Sequence, residues 1–215
     1  EDIDNSIFDH CSVSDIPRWP EEESAPRYDC HGIEAENCIN CEFTYNSVDG
    51  FIFEGIMVEH DGTGTIFIGN ELIHDGAYMS IAVGEGDSLE FRDNIITTDG
   101  TAFWVGEGND ITFDNNTINT TSKGIDVDNG SNITFTNNSI TSGSHGIDVA
   151  AGSNYSLSGN SINSGNIGIY IPHGSNLFFI TGNDIASTGN SIELRSGGTD
   201  IIINDRCFII YPVSL

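Results

Sequence analysis

The chain has 215 residues, with 33 Asp and Glu against 6 Lys and Arg, a formal net charge of −27 and a sequence pI near 4.1. Such a surface repels nucleic acid, anionic lipid and acidic polysaccharide, and suits high salt, divalent cations or a solvated outer layer. No apolar run is long enough to span a membrane. The first residue is Glu1 rather than Met, and no signal peptide is visible, so the expectation is a processed secreted precursor or a fragment.

Residues 1–14 read as the second half of a coil with no amphipathic capping helix before it. Residues 15–31, with Ile16-Pro-Arg-Trp-Pro20 and Ala25-Pro-Arg27, are proline-rich and charged and predict a surface loop. Cys11 and Cys30 bracket that loop, and a disulfide between them would pin its base. Residues 32–48 align without gaps to residues 124–140; here Cys41 takes an inward apolar position and Cys38 falls in the preceding turn. With no second CxxC and Cys41 pointing inward, this pair is not read as a metal site; Cys38 and Cys41 are candidate disulfide cysteines, with a reduced core thiol at Cys41 as the alternative. Residues 49–75 are looser, with Gly62-Thr-Gly-Thr65 inserted in a turn, and residues 76–185 are regular.

The regular part repeats itself. Gly124-Ile-Asp-Val127 through Ile140 returns 22 residues later as Gly146-Ile-Asp-Val149 through Ile162. A period in this range marks a solenoid. The apolar residue closing each unit runs Val13, Val48, Ile73, Ile96, Ile118, Ile140, Ile162, Ile185 and Phe208. Five residues earlier stand Phe8, Phe43, Ile68, Phe91, Phe113, Phe135, Leu157, Ile180 and Ile203. Two residues before the closers stand Cys11, Asn46, Glu71, Asn94, Asn116, Asn138, Asn160, Asn183 and Arg206, of which six are Asn.

Ile125-x-Val127 and Ile133-x-Phe135 alternate with polar residues, so each is a short strand with one buried face. Asn, Gly and Ser cluster between the strands, where turns need left-handed backbone or side-chain bonds to the main chain. Three short strands in about 22 residues make one coil of a single-stranded, right-handed parallel β-helix. The whole chain, 1–215, is expected as one all-β solenoid of about eight to nine coils with an internal asparagine ladder. A leucine-rich repeat has a similar period, but its signature is absent.

These rungs resemble the parallel β-helix repeats of the pectate-lyase-like superfamily and of NosD-like surface proteins. Phe8-Asp9-His10-Cys11-Ser12-Val13-Ser14 is similar to the Asp-His-Cys-Ser rung of the former. The resemblance covers nearly the whole chain and specifies fold more than activity, because such rungs recur in lyases, epimerases, tailspikes and inert surface proteins. The Asn-, Thr-, Ser- and Gly-rich acidic repeats look like archaeal cell-surface proteins of sheath or S-layer type.

One outward column of the Gly-Ile-x-Val strands reads Glu34, Met57, Ala82, Trp104, Asp126, Asp148, Tyr170 and Glu193, with Lys123, Asp128, His145, His173 and Arg195 close by. In the resembled superfamily sugars bind along such a face. Asp126 and Asp148, one coil apart at about 5 Å, suit a retaining glycosidase pair or, with Asp128, a shared Ca²⁺. Trp104 and Tyr170 would stack on sugar rings. The competing expectation is an ordinary solvated face of an acidic protein. The lyase family's arginine motif is not matched, since Pro17-Arg18-Trp19-Pro20 lies in a loop. The six histidines show no zinc spacing.

The last coil, residues 189–208, leads to the apolar tail Phe208-Ile-Ile-Tyr-Pro-Val-Ser-Leu215. Stacking the last coil of one copy on the first coil of the next would set Ile203 on Phe8 and Phe208 on Val13, with Cys207 one column from Cys11. The five cysteines (Cys11, Cys30, Cys38, Cys41 and Cys207) are an odd count, which suits a disulfide between copies or one free thiol. The expectation is therefore a non-enzymatic extracellular protein that polymerises head to tail with copies of itself, without cofactor unless Ca²⁺. The alternatives are a carbohydrate-active lyase, epimerase or hydrolase, and a virus tailspike. The sequons at Asn115, Asn119, Asn129, Asn132, Asn137 and Asn154 permit glycan, although Asn and Ser equally serve as turn residues here.

Overall fold

A computed structural model describes residues 2–14, 32–50, 53–74, 78–172, 178–194 and 201–204. Each coil contributes up to three short strands, and every pairing between coils is parallel and in sequence order. Strand Ile125–Thr136 runs through the first and second positions of its coil, so hydrogen bonding joins these columns into a 17-stranded sheet beside an 8-stranded third column. Seven turns carry a ladder asparagine. They are flanked by the coil of Asp2–Asp4, Ile7–Asp9 and Ser12–Val13 and by the strands Ile192–Leu194 and Ile201–Asn204.

Alternation decides which way each side chain points. On the second strands, Phe8, Phe43, Phe67, Phe91, Phe113 and Phe135 point inward and stack nearly parallel, with neighbouring centroids 4.6 to 5.3 Å apart. Leu157, Ile180 and Ile203 continue the column. On the third strands, Val48, Leu72, Ile96, Ile118, Ile140 and Ile162 are buried in register. The spacing is that of neighbouring strands, so stacking the same residue type on itself fills the interior without gaps.

Between second and third strands the chain turns at the ladder. Asn116 shows the unit: its Nδ2 donates to the Phe91 carbonyl and to Asn138 Oδ1, each at 2.9 Å. Its Oδ1 accepts from the Asn94 backbone N–H at 3.1 Å and from Asn94 Nδ2 at 2.9 Å. The same bonds recur from Asn46 to Asn183, all buried. The ladder opens at Cys11, whose backbone N–H donates to Asn46 Oδ1. Just before the ladder residue the backbone is left-handed at His10, Tyr45, Asp93, Asn115 and Asn137, and at Gly69, Gly159 and Gly182. Asn and Asp tolerate this conformation and Gly adopts it freely, which explains the composition of these turns.

In residues 49–75 the register differs from the sequence expectation by one residue. The third-strand closer is Leu72, not Ile73; the stacking residue is Phe67, not Ile68; and the ladder residue is Asn70, not Glu71. Leu72 is 0 % exposed and Ile73 is 46 % exposed. Ile66-Phe67-Ile68 and Leu72-Ile73 offer apolar residues at adjacent positions, so alternation alone does not choose between them. A one-residue slip reverses every side chain, and only Asn at position 70 can satisfy the neighbouring rungs.

Cys38 and Cys41 form a disulfide across the first turn, with Cα atoms 5.7 Å apart and both residues fully buried. This is the disulfide expected as a candidate, not the alternative reduced thiol at Cys41: the turn brings both side chains to the interior within bridging distance. Cys11 is exposed and has no disulfide partner among the described residues. Cys30, Cys207 and Phe208, the loop 15–31 and the apolar tail lie outside the described residues.

Candidate functional site

The outward column of the first strands pairs in register through all its members: Glu34, Met57, Ala82, Trp104, Asp126, Asp148, Tyr170 and Glu193. Glu34 is exposed at one end, but the rest of the column is not the solvated acidic face that composition suggests. Asp148 is 4 % exposed, Glu193 is 6 % exposed and Ala82 is fully buried.

The burial comes from side chains that fold back from three residues upstream. Lys123 Nζ lies 3.0 and 2.9 Å from the two carboxylate oxygens of Asp126, and 2.7 Å from Asp148 Oδ2 in the next coil. His145 Nδ1 lies 2.9 Å from the same Asp148 oxygen. Its ring packs against Tyr170 with centroids 4.8 Å apart. One coil further, Asn190 Nδ2 donates to Glu193 Oε2 at 2.8 Å. Trp104 Nε1 donates to Asp128 Oδ2 at 3.1 Å. Lys123, His145 and Asn190 thus stand at the same i, i+3 offset from Asp126, Asp148 and Glu193. That spacing is visible in the sequence and was the unused signal for this network. His173 and Arg195 lie outside the described residues.

The electrostatics follow from one ammonium serving two carboxylates. Burial pulls the Lys123 pKa down, but hydrogen bonds to Asp148 and Asp126, with their charges, outweigh it and hold it above the ordinary lysine value. Burial pushes Asp126 above the usual carboxylate range despite the bond and charge of Lys123, helped by the nearby charges of Asp148 and Asp128. Lysine gains from both partners, while each carboxylate receives only a share of the lysine. The ammonium also occupies the place between Asp126 and Asp148 that a shared Ca²⁺ would take. Among the described residues no group of three or more His, Cys, Asp or Glu side chains is arranged to hold a metal.

Replacing Lys123 with Met leaves two partly buried carboxylates facing each other, and a loss of about 2 kcal/mol in unfolding free energy at neutral pH is expected. A folded-state lysine pKa above its unfolded value stabilises fully below the unfolded value and fades as pH rises through the folded one. Wild-type protein should therefore lose this increment in alkali above about pH 10.5, and Lys123→Met should not. Asp126 has the opposite sign: its raised pKa makes burial of the charge costly at neutral pH and relieves that cost in acid. The gap between the two proteins should accordingly narrow as pH falls through the carboxylate range, which urea titrations at several pH values would measure.

A groove of about 530 Å³ lies elsewhere, at the end of the third column, and is lined among others by Ile73, Thr97, Asp99, Asn119 and Thr121. It shares no residue with the Lys123 network.

Comparison with known proteins gives a family and nothing finer. No curated protein and no solved structure matched the chain. The family model described as "Right handed beta helix region" matches residues 54–208, more than half of the sequence. With its parallel coils and asparagine ladder in register along the same segment, the chain belongs to the right-handed β-helix family.

Proposed function

We propose that this protein is a non-enzymatic, extracellular building block whose coils stack end to end with those of other copies, forming a filament, hoop or sheath layer of a cell envelope. The family is consistent with structural and with carbohydrate-active proteins. The observation that carries the structural reading is the register of the second-strand column, which holds from Ile7–Asp9 at one side to Ile201–Asn204 at the other. Phe8 stacks on Phe43 at 4.6 Å at one side, and Ile203 pairs with Ile180 at the other. Among the described residues, the strands Ile7–Asp9 and Ile201–Asn204 each pair on one side only.

The outward side chains of these same strands support the reading. Along that column Glu42, Glu90, Thr112, Thr134 and Ser156 are polar and Ile66 and Phe179 are apolar; Ile7 is 64 % exposed at one edge, and Phe179 and Ile202 are 39 % and 49 % exposed toward the other. Stacked copies would bring Ile202 beside Ile7 and Ile203 onto Phe8, burying apolar surface and pairing both strand edges. The buried Cys38–Cys41 disulfide supports an oxidising compartment outside the cytoplasm. A disulfide from the exposed Cys11 of one copy to Cys207 of the next would lock such a stack.

Sedimentation of native protein, with electrophoresis under non-reducing and reducing conditions, tests the proposal. Polymers that grow with concentration, and that shorten when Ile202 is replaced by Glu, are expected. A monomer at all concentrations, with Cys207 free or paired within its own chain, would sink it. A carbohydrate-active reading draws on one observation, the buried Asp148 carboxylate held by Lys123 and His145 between Trp104 and Tyr170. Release of sugar from a polysaccharide panel that is abolished by Asp148→Asn would favour it.

A further inference from the structure

The asparagines of this chain fall into two populations. The seven ladder asparagines are buried, and none is followed by the Asn-x-Ser/Thr pattern. The six asparagines that head such triplets, Asn115, Asn119, Asn129, Asn132, Asn137 and Asn154, are all exposed and lie on three successive coils. Five of the six use their amide nitrogen to brace the preceding coil. Asn115 donates to Asp93, Asn129 to Glu107, Asn132 to Asp110, Asn137 to Asp114 and Asn154 to Asn132.

Asn119 is different. It stands on the outward side of strand Thr117–Thr120, between Thr97 and Thr141 of the adjacent coils, both exposed. Its side chain makes no hydrogen bond among the described residues. Thr121, the hydroxyl residue of the triplet, is also exposed, and its Oγ1 donates to the Asp99 carbonyl at 2.9 Å. Asn119 lines the groove of about 530 Å³, whose walls offer the hydroxyls of Thr97 and Thr121 and the carboxylate of Asp99 to a polar occupant.

We propose that Asn119 carries an N-linked glycan whose first sugars lie along this groove. The donor is a lipid-phosphate-linked oligosaccharide, and the transfer is made by a separate enzyme outside the cytoplasm. Asn119 Nδ2 bonds to the anomeric carbon of the sugar and gives up one proton. The anomeric carbon–oxygen bond to phosphate breaks, and the lipid phosphate leaves with the electron pair. The modified amide keeps one N–H and disturbs no existing bond, whereas at the five bracing asparagines the sugar would have to be seated on a nitrogen already held against the preceding coil. A glycan here projects from the lateral wall, away from the coil faces used in stacking. The proposal rests on the extracellular part of the reading above and is independent of polymerisation.

Protein isolated from its native host is digested without reduction and mapped by mass spectrometry. The peptide containing Asn119 should be heavier than its sequence mass by at least one saccharide and should lose sugars on fragmentation. In the same host, Asn119→Gln and Thr121→Ala should each remove one glycan-sized step in mass while the circular dichroism spectrum is unchanged. Thr121→Ser should retain the step. An Asn119 peptide at its sequence mass, alongside an oxidised Cys38–Cys41 pair, overturns the glycan and leaves export standing. The same mass with both cysteines reduced overturns the glycan and the extracellular reading together.

Discussion

Replacing Phe113 with alanine should lower the unfolding free energy by about 4 kcal/mol, the range for a large buried aromatic. Phe113 is fully buried, stacks on Phe91 at 4.7 Å and on Phe135 at 5.3 Å, and meets Phe103 edge-on at 5.6 Å. The cavity cannot close easily, because the coil spacing is set by backbone pairing on both sides and the neighbouring rings cannot move along the axis. Phe113→Leu keeps most of the volume and should cost less than about 1.5 kcal/mol. Urea midpoints measured for the three proteins test this. A loss below 1 kcal/mol for the alanine variant would mean that the aromatic column is only loosely packed. Since each coil touches only its neighbours, amide exchange should quicken first in the coils of Phe91, Phe113 and Phe135.

Asn116→Ala should cost a similar amount through a different mechanism. It removes no large apolar volume, but it strands polar groups in a dry interior. The Asn94 backbone N–H and one proton of the Asn94 amide lose their partners, and the Phe91 carbonyl loses its side-chain donor. Each unsatisfied buried group costs about 1–3 kcal/mol, so about 4 kcal/mol in total is expected. Asn138 Oδ1 keeps the backbone N–H of residue 116 as a donor, which confines the damage to one side of the mutated coil. Exchange of the Asn94 amide should therefore accelerate more than that of Asn138. Equal acceleration on both sides would contradict the directional ladder. Asn116→Asp keeps the acceptor oxygen but replaces the donor with a buried charge, and should be less damaging in acid than at neutral pH.

Much of the architecture was legible in the sequence because it is written in local, repeated terms. The 22-residue period, the alternation of apolar residues and the Asn column each reflect one coil's own strand and turn geometry. Repetition then multiplies a weak local signal. The same register placed Glu34 through Glu193 in one outward column without reference to any contact. What failed was local ambiguity: Ile66-Phe67-Ile68 and Leu72-Ile73 permit either phase. Phe43 and Phe91 above and below, together with the neighbouring ladder asparagines, selected Phe67 and Asn70.

Three features were decided only by tertiary structure. Cys38 and Cys41 are bridged because the turn after the first strand brings both sulfurs into the interior, a placement that spacing alone does not specify. Asp148 is buried because a lysine from the preceding coil and a histidine from its own coil close over it, so charge composition gave the wrong expectation of a solvated face. Asn119 differs from the five other sequon asparagines because it projects from a flat strand, whereas they sit where the preceding coil offers an acceptor. The sequence determined the coil, its period and which residues share each column, since these depend on residue order along the chain. Which neighbours satisfy or cover a given side chain depends on how consecutive coils meet, and only the assembled solenoid sets that.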